Sequence, residues 1–211
     1  LLGRGRLETI VLTHAVNDAL PKNPAPGFDL QAFWLTSARR AFLARAIANQ
    51  LGSRHELEAF TVGLLQDMAV PVLADRKGAP YVELLARWRD DDEARLDALE
   101  REAFDLDHPT LGALMARKWD LPDYLSRAIA LHEDPGDEEL DPAILFVAKI
   151  KEALGHVEEV EADDGDDEAA EAQQEALVSR ACDELGLEGP RTAAIVRQAF
   201  AQAEAFASQL G

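Results

Sequence analysis

Apolar residues recur at helical spacing along almost the whole chain, and no segment shows sustained alternation of apolar and polar residues. Spacings of three and four residues place side chains on one face of an α-helix, whereas strand side chains alternate every second residue. The clearest stripe follows positions i, i+3, i+4, i+7, i+8 and i+11 of one segment: Leu57, Phe60, Thr61, Leu64, Leu65 and Met68. The pattern predicts an all-α, bundle-like fold organised around this stripe.

The same periodicity and its interruptions predict where the other helices lie. A helix is expected over 29–51, the central helix continues as far as Pro71, and a turn follows at 75–78. Asp107 precedes a His-Pro pair and has the features of an N-cap followed by proline in the first helical turn. A long apolar stripe over 196–210 predicts a helix that closes the chain.

Composition and charge narrow the possible partners and surroundings. The 211 residues carry a formal net charge of −19, which disfavours contact with nucleic-acid phosphates and anionic membranes. One cysteine excludes an internal disulfide, and no segment reaches the roughly 18 apolar residues of a membrane span, so a cytoplasmic protein is predicted. A single domain over 1–211 is expected, with an acidic segment at 157–175 that we predict to be a disordered or solvated insertion.

Three polar residues stand on predicted apolar helix faces. Asp67 lies three residues after Leu64, and His108 and His132 lie on the apolar faces of two later helices. A buried carboxylate is costly unless it is paired or hydrogen-bonded. We therefore expect Asp67 to pair with His108 or His132, and the functional question is whether these residues hold a metal ion or are the remains of a site that did.

Several common catalytic motifs are absent from the sequence. It contains no G-x-S-x-G elbow, no P-loop, no glycine-rich dinucleotide turn and no H-E-x-x-H zinc motif. Glu100 and Glu102 could be considered as a general acid and base, but residues two apart on a helix do not face one pocket together. These two residues are expected to have surface or structural roles.

Three segments together resemble the HDOD family, an HD-related output domain of bacteria. They are FWLTSA at 33–38, AFTVGLLQD at 59–67 and LEREAFDLDH at 99–108, the last followed by LGA at 111–113, WDLP at 119–122 and AIALH at 128–132. The resemblance covers about 1–154 and implies an all-α, HD-like domain. The helical section that usually opens the family is absent, so a fragment or a shortened form is expected. Asp105 stands where the resemblance implies glycine.

The HDOD family is similar to the HD phosphohydrolases, which hold a divalent metal with a His, a His-Asp pair and a later Asp. By motif, these positions correspond here to Thr36, Gln66-Asp67 and Lys149, so only the ligand Asp67 is retained. The resemblance therefore implies no cofactor and no metal, with Asp67 and the two histidines as the remains of a site. Thr36, Gln66 and Lys149 are the candidate residues of a small-ligand pocket.

The resemblance implies a regulatory function in signal transduction. We expect a non-catalytic bacterial domain that acts by binding a protein partner, without a nucleic-acid or membrane partner. One alternative is a metal-dependent phosphohydrolase acting on nucleotides, with Asp67, His108 and His132 as its ligands. A second alternative is a sensor that binds a small anionic ligand through Lys149 and the histidines.

Overall fold

The computed structural model describes residues 4–50, 53–91, 94–134 and 190–210, and every regular element in these ranges is an α-helix. In chain order the helices are α1 (Arg4–Ala19), α2 (Leu30–Gln50), α3 (Glu56–Leu65), α4 (Val70–Lys77), α5 (Ala79–Arg89), α6 (Leu96–Phe104), α7 (His108–Lys118), α8 (Asp123–Leu131) and α9 (Pro190–Ala207). The prediction of an all-α fold is confirmed. The acidic segment at 157–175 and Lys149 lie outside the described residues.

The main hydrophobic core forms around α3. This helix packs against α1, α2 and α8, and α9 also packs against α2. Because neighbouring helices surround α3, every residue from Ala59 to Leu65 is buried. The polar member of this run, Thr61, satisfies its hydroxyl within the helix by donating to the carbonyl of Leu57 at 2.8 Å. The central stripe of the sequence therefore forms the centre of the molecule.

One described segment, Glu56–Lys77, is long and apolar enough to cross a membrane on composition alone. However, 78% of its most apolar window is buried inside the fold. Neighbouring helices, rather than lipid, cover this apolar surface. Its hydrophobicity is accounted for by its place in the core.

The central helix ends earlier than its apolar stripe predicts. Helix α3 stops at Leu65, a turn covers 66–69, and α4 begins directly afterwards with Pro71 in its first turn. Proline suits this position because its missing N–H would have no partner there, so it belongs to the start of a new helix. The predicted turn at 75–78 is also wrong, since only its last residue, Gly78 (φ 65°), leaves the helix.

A smaller hydrophobic cluster joins α4, α5 and α6 beside the main core. Its buried residues are Val70, Leu73, Ala74, Tyr81, Leu84, Leu85 and Leu96. Phe33 of α2 packs against both this cluster and the main core, and so connects the two. The hydroxyl of the buried Tyr81 is hydrogen-bonded to Glu100 of α6. The smaller cluster thus packs against α6, and through Tyr81 it reaches the buried carboxylate of Glu100.

A short connection between α6 and α7 positions the start of α7. Asp105 follows α6 in a left-handed backbone conformation (φ 54°), which glycine adopts most easily. This conformation accounts for the glycine that the family resemblance implies at this position. Asp107 caps α7 as predicted, because its Oδ1 accepts the backbone N–H of Thr110 at 2.8 Å. The cap holds His108 as the first residue of α7.

Arg101 links α6 to the start of α7 by binding two buried carboxylates. Its guanidinium lies 2.7 Å from Oδ2 of Asp97 and 2.6 Å from Oδ2 of Asp107. Burial works to raise the pKa of both carboxyls. The pKa of Asp97 is nevertheless held below its usual value by Arg95 and Arg101. The pKa of Asp107 is held below its usual value by Thr110 and Arg101. The stability that the ionised carboxylates of Asp97 and Asp107 contribute is therefore present above the unfolded-state pKa of about 3.9. It is lost as the pH falls toward the folded-state pKa.

We expect Arg101→Ala to lower the free energy of unfolding by about 1 kcal/mol near pH 7, a modest value because Arg101 is half exposed. The loss should shrink between about pH 5 and pH 2, since protonated Asp97 and Asp107 no longer gain from the guanidinium. Urea unfolding of wild type and Arg101→Ala across this pH range measures the loss. Arg87→Ala removes an exposed arginine of α5 and should change stability by less than about 0.5 kcal/mol. A loss that did not vary with pH would contradict this role of the carboxylates.

Candidate functional site

Three helix ends bring together four side chains of metal-binding types. Asp67 lies in the turn after α3, His108 is the first residue of α7, and His132 and Glu133 follow directly after α8. One carboxylate oxygen or ring nitrogen from each residue lies within 4.8 Å of the others. We call these four residues the acid–histidine cluster. The first three were predicted from the sequence to face inward, and the structure adds Glu133.

The polar atoms of the acid–histidine cluster lie almost in contact. Nε2 of His132 is 2.9 Å from Oδ1 of Asp67 and 3.1 Å from Nε2 of His108. Nε2 of His108 is 3.4 Å from the same oxygen of Asp67. Oε1 of Glu133 is 3.1 Å from Nε2 of His108 and 3.5 Å from Nε2 of His132. Both imidazoles are almost fully buried, and the Asp67 and Glu133 side chains expose only 12% and 11% of their surface.

Both histidines are oriented by hydrogen bonds on the far side of the ring. Nδ1 of His108 lies 2.6 Å from Oε2 of Glu100, and Nδ1 of His132 lies 2.7 Å from the carbonyl oxygen of Ile129. An ionised carboxylate and a carbonyl only accept hydrogen bonds, so we assign Nδ1 of each ring as the donor. Each Nε2 is then directed toward the other members of the cluster.

Glu100 is fully buried and uses both carboxylate oxygens. Oε1 accepts the hydroxyl of Tyr81, and Oε2 accepts the ring N–H and, at 2.7 Å, the backbone N–H of His108. Burial, together with the nearby charge of Glu100, raises the pKa of Tyr81 well above its ordinary value, so the phenol remains a donor. Glu100 therefore fixes both the ring of His108 and the start of α7.

A buried ion pair holds Asp67 from the side of α2. Nη1 of Arg40 donates to Oδ2 of Asp67 at 2.5 Å, and both residues are buried. The other oxygen, Oδ1, faces the histidines but accepts no hydrogen bond of ordinary geometry among the described residues. Burial works to raise the pKa of Asp67, but Arg40 and the two histidines hold it well below its usual range. The carboxylate is therefore ionised.

The surroundings of His108 favour positive charge. Burial works to lower the pKa of His108, but the neighbouring acids Asp67, Glu100 and Glu133 raise it well above its ordinary value. Opposite charges close to a titrating group stabilise its charged form. The centre of the acid–histidine cluster is thus a place where a cation is electrostatically favoured.

Of the three residues predicted to line a ligand pocket, the two that the structure describes, Thr36 and Gln66, are not among the four residues of the cluster. Thr36 is half-buried on α2, and Lys149 lies outside the described residues. Gln66 is fully buried beside Asp67, and neither atom of its amide has a hydrogen-bond partner in the described part of the chain. A hydroxyl and an amide at positions 36 and 66 do not replace the imidazoles of an HD-type centre. Thr36 and Gln66 therefore do not supply the imidazoles that the family resemblance implies at these two positions.

Arg40 and Glu133 were not predicted from the sequence as members of the site, and Glu100, expected to have a surface or structural role, is fully buried and bonded to His108. Glu100 carries a recognisable signal, since it lies one turn from both Leu96 and Phe104 on the apolar side of α6. Arg40 interrupts the buried face of α2 in the same way. Glu133 has no such signal, because it follows the last residue of its helix by two positions and belongs to no motif.

Comparison with known proteins gives a match at the level of a domain family. The sequence profile of the HDOD domain matches residues 1–135. This range includes every member of the acid–histidine cluster. No curated protein matches the chain.

Similar solved structures come from three bacteria. A candidate phosphohydrolase from Shewanella amazonensis SB2B is 24% identical, has a TM-score of 0.70, and is matched over 100% of this chain and 74% of its own. A candidate signal transduction protein from Marinobacter aquaeolei VT8 is 18% identical, has a TM-score of 0.64, and is matched over 100% of this chain and 46% of its own. An HDOD domain protein of unknown function from Geobacter sulfurreducens is 18% identical, has a TM-score of 0.62, and is matched over 100% of this chain and 72% of its own. At these identities the similarity establishes the fold.

Proposed function

The chain belongs to the HDOD domain family, and on that premise we propose that it is a non-catalytic regulatory domain of bacterial signal transduction that acts by binding a protein partner. The similar fold of the Marinobacter aquaeolei protein, a candidate for signal transduction, supports this proposal. In this role the domain contributes a stable binding surface rather than a chemical reaction.

The observation that carries the proposal is the combination of missing ligands and deep burial. A catalytic metal centre keeps an open coordination position beside its substrate. Thr36 and Gln66 stand where HD enzymes have imidazole ligands, and no side chain of the acid–histidine cluster is more than 12% exposed. Groups buried to this degree favour a role inside the fold over contact with a phosphate ester.

The charge of the chain indicates the chemistry of the partner. A net charge of −19 produces a negative field around the domain, which attracts and orients a protein with a basic surface. Such attraction is screened by salt. Association should therefore weaken as the ionic strength rises.

We expect affinity capture from the organism that encodes the domain to enrich the same protein reproducibly, with less recovered at about 0.5 M than at about 0.1 M salt. An unrelated acidic protein of similar size and charge serves as the control bait, because it removes proteins held by charge alone. Binding is then measured with the two purified proteins. Absence of saturable binding by every enriched protein would count against the regulatory function.

A metal-dependent phosphohydrolase is the second candidate, favoured by the acid–histidine cluster and by the similar fold of the candidate phosphohydrolase. It predicts that the domain, supplied with Mn²⁺ or Fe²⁺, releases phosphate from nucleotides and that Asp67→Asn abolishes this release. The regulatory function predicts no release above that of buffer with metal. A nucleotide that raises the Tm without being hydrolysed would instead favour a small-anion sensor.

A further inference from the structure

Three buried side chains outside the acid–histidine cluster carry polar atoms that have no hydrogen-bond partner within the ranges that the structure describes. These atoms are the indole Nε1 of Trp34, the hydroxyl oxygen of Ser37 and both polar atoms of the Gln66 amide. Each of the three residues is at most 1% exposed, so bulk water does not reach them. A buried polar group is costly without a hydrogen-bond partner. The three side chains therefore call for a partner that the described residues do not supply.

The antiparallel packing of α2 and α3 brings these side chains to one region of the core. Successive contacts join earlier and earlier residues of α2 to later and later residues of α3 and the turn that follows it. The contacting pairs are Asn49 with Glu56, Phe42 with Phe60, Ala41 with Gly63, and Arg40 with Asp67. Ser37 and Trp34 lie about one and two helical turns before Ala41. The same progression therefore places them beside the turn at 66–69 and the start of α4.

Helical spacing places Trp34 and Ser37 on the face of α2 that packs against α3. Residues three and four positions apart lie on one face of an α-helix, and Trp34, Ser37 and Ala41 follow this spacing. A Cβ atom on Gly63 would lie 3.0 Å from Cα of Ala41, so this face adjoins the central helix. Helix α7 also approaches the turn, since a Cβ atom on Gly112 would lie 3.8 Å from the carbonyl oxygen of Gln66. Gln66 is thus enclosed by helices.

The unpaired atoms include both hydrogen-bond donors and acceptors. Trp34 offers one N–H, the Gln66 amide offers two N–H bonds and a carbonyl oxygen, and the Ser37 hydroxyl both donates and accepts. A cation would serve only the acceptors, and an anion would serve only the donors. The charges of the adjoining Arg40 and Asp67 already compensate each other. The chemistry therefore selects a small neutral molecule that both donates and accepts hydrogen bonds.

Water is the smallest molecule that has this chemistry. Leaving several buried donors and acceptors unpaired would cost a large part of the stability of an ordinary domain. Globular proteins hold about one buried water molecule per 27 residues, and each typically makes about three hydrogen bonds to buried polar groups. Trp34, Ser37 and Gln66 provide three such partners in one region of the core.

We propose that Trp34, Ser37 and Gln66 form an internal site for ordered water between α2 and the turn at 66–69. The water accepts hydrogen bonds from the indole and amide N–H groups and donates to the amide oxygen and the Ser37 hydroxyl. It joins α2 to the turn in addition to the ion pair of Arg40 and Asp67. The site accounts for a glutamine inside the core, goes beyond the proposed regulatory function and does not depend on it.

A high-resolution crystal structure of the wild-type chain tests the site directly. Crystals grown without polyols or other small additives, with data collected at room temperature, leave water as the available occupant. We expect ordered density about 2.7–3.2 Å from an atom of the Gln66 amide and from Ser37 Oγ or Trp34 Nε1. Absence of this density, or a direct hydrogen bond between Gln66 and Ser37 in its place, would overturn the proposal.

Matched variants test whether the water links α2 to the turn. Gln66→Met keeps the length of the side chain but removes its hydrogen bonds, and we expect the Tm to fall by about 3–6 °C. Gln31→Met, at an exposed position of α2, should change the Tm by less than about 2 °C. When Gln66→Met is combined with Ser37→Ala, the fall should differ from the sum of the single effects, because the shared water is lost only once.

Two outcomes of the variant series would contradict the water site. A Tm of Gln66→Met at or above that of wild type is the first, because an apolar chain relieves the burial cost of an amide that has no partner. Strictly additive effects of Gln66→Met and Ser37→Ala are the second, because no molecule would then link the two side chains. If Gln66→Met fails to fold, the wild-type crystal structure decides. Partner capture tests the regulatory function independently, so the two proposals fail separately.

Discussion

The Arg40→Ala variant is expected to lose about 3–5 kcal/mol of its free energy of unfolding near pH 7. In the wild type the guanidinium lies 2.5 Å from the ionised carboxylate of Asp67, and both groups are buried. Removing Arg40 leaves that carboxylate desolvated without its nearest positive charge. The substitution also removes the buried apolar stem of the arginine, which adds a packing loss.

Urea unfolding in metal-free buffer measures this loss, because a bound ion would also compensate the charge of Asp67. Arg117→Ala, which removes an exposed arginine of α7, is the control and should change stability by less than about 0.5 kcal/mol. Combining Arg40→Met with Asp67→Asn removes both charges. The double-mutant cycle should give a coupling free energy of about 0.5–3 kcal/mol, and strictly additive effects would show that the pair does not stabilise the fold.

The Gly63→Val variant is expected to lose about 3 kcal/mol of unfolding free energy through overpacking. A Cβ atom at position 63 would lie 3.0 Å from Cα and 3.1 Å from N of Ala41, and 3.2 Å from the carbonyl carbon of Arg40. These are backbone atoms of α2, which cannot rotate away as a side chain can, so α2 and α3 must separate. The separation would also pull Arg40 away from Asp67.

The expected loss is measured by urea unfolding beside two comparison variants. Ala103→Val places valine at an exposed position of α6 and should cost less than about 1 kcal/mol through helix propensity alone. Gly63→Ala should lose less than Gly63→Val, because alanine gains about 1 kcal/mol of helix propensity over glycine. Wild-type stability in Gly63→Val would mean that α2 and α3 accommodate the extra atoms, contrary to the close contact.

These two variants examine the same helix contact from its polar and its apolar side. Gly63 allows the backbones of α2 and α3 to approach closely, and the approach brings Arg40 within bonding distance of Asp67. The polar centre therefore depends on apolar packing one helical turn away.

Local patterns in the sequence determined the helical class and the position of most helices. The predicted helix at 29–51 appears as α2, and the closing stripe at 196–210 lies largely in α9. Asp107 caps α7 as expected. Helical periodicity and N-caps depend on residues within about four positions of one another, so the sequence alone contains this information.

The end of the central helix could not be predicted from local sequence patterns. Helix α3 stops at Leu65, yet every residue over 61–70 is buried, including the whole turn at 66–69. A turn inside the core retains apolar residues just as a helix does. Hydrophobic periodicity therefore does not report the break, which places Gln66 and Asp67 in the turn.

Only the tertiary structure decided which charged residues form the site. The sequence indicated that Asp67 and two histidines face inward, because each stands on an apolar stripe. It could not select Glu133 from the 40 acidic residues of the chain, and the apolar face of α6 indicates only that Glu100 faces inward, not that it binds His108. The packing of α2, α6, α7 and α8 brings these carboxylates and Arg40 to the histidines from distant parts of the sequence. The state of a buried charge depends on neighbours from other helices, and those neighbours exist only after the chain has folded.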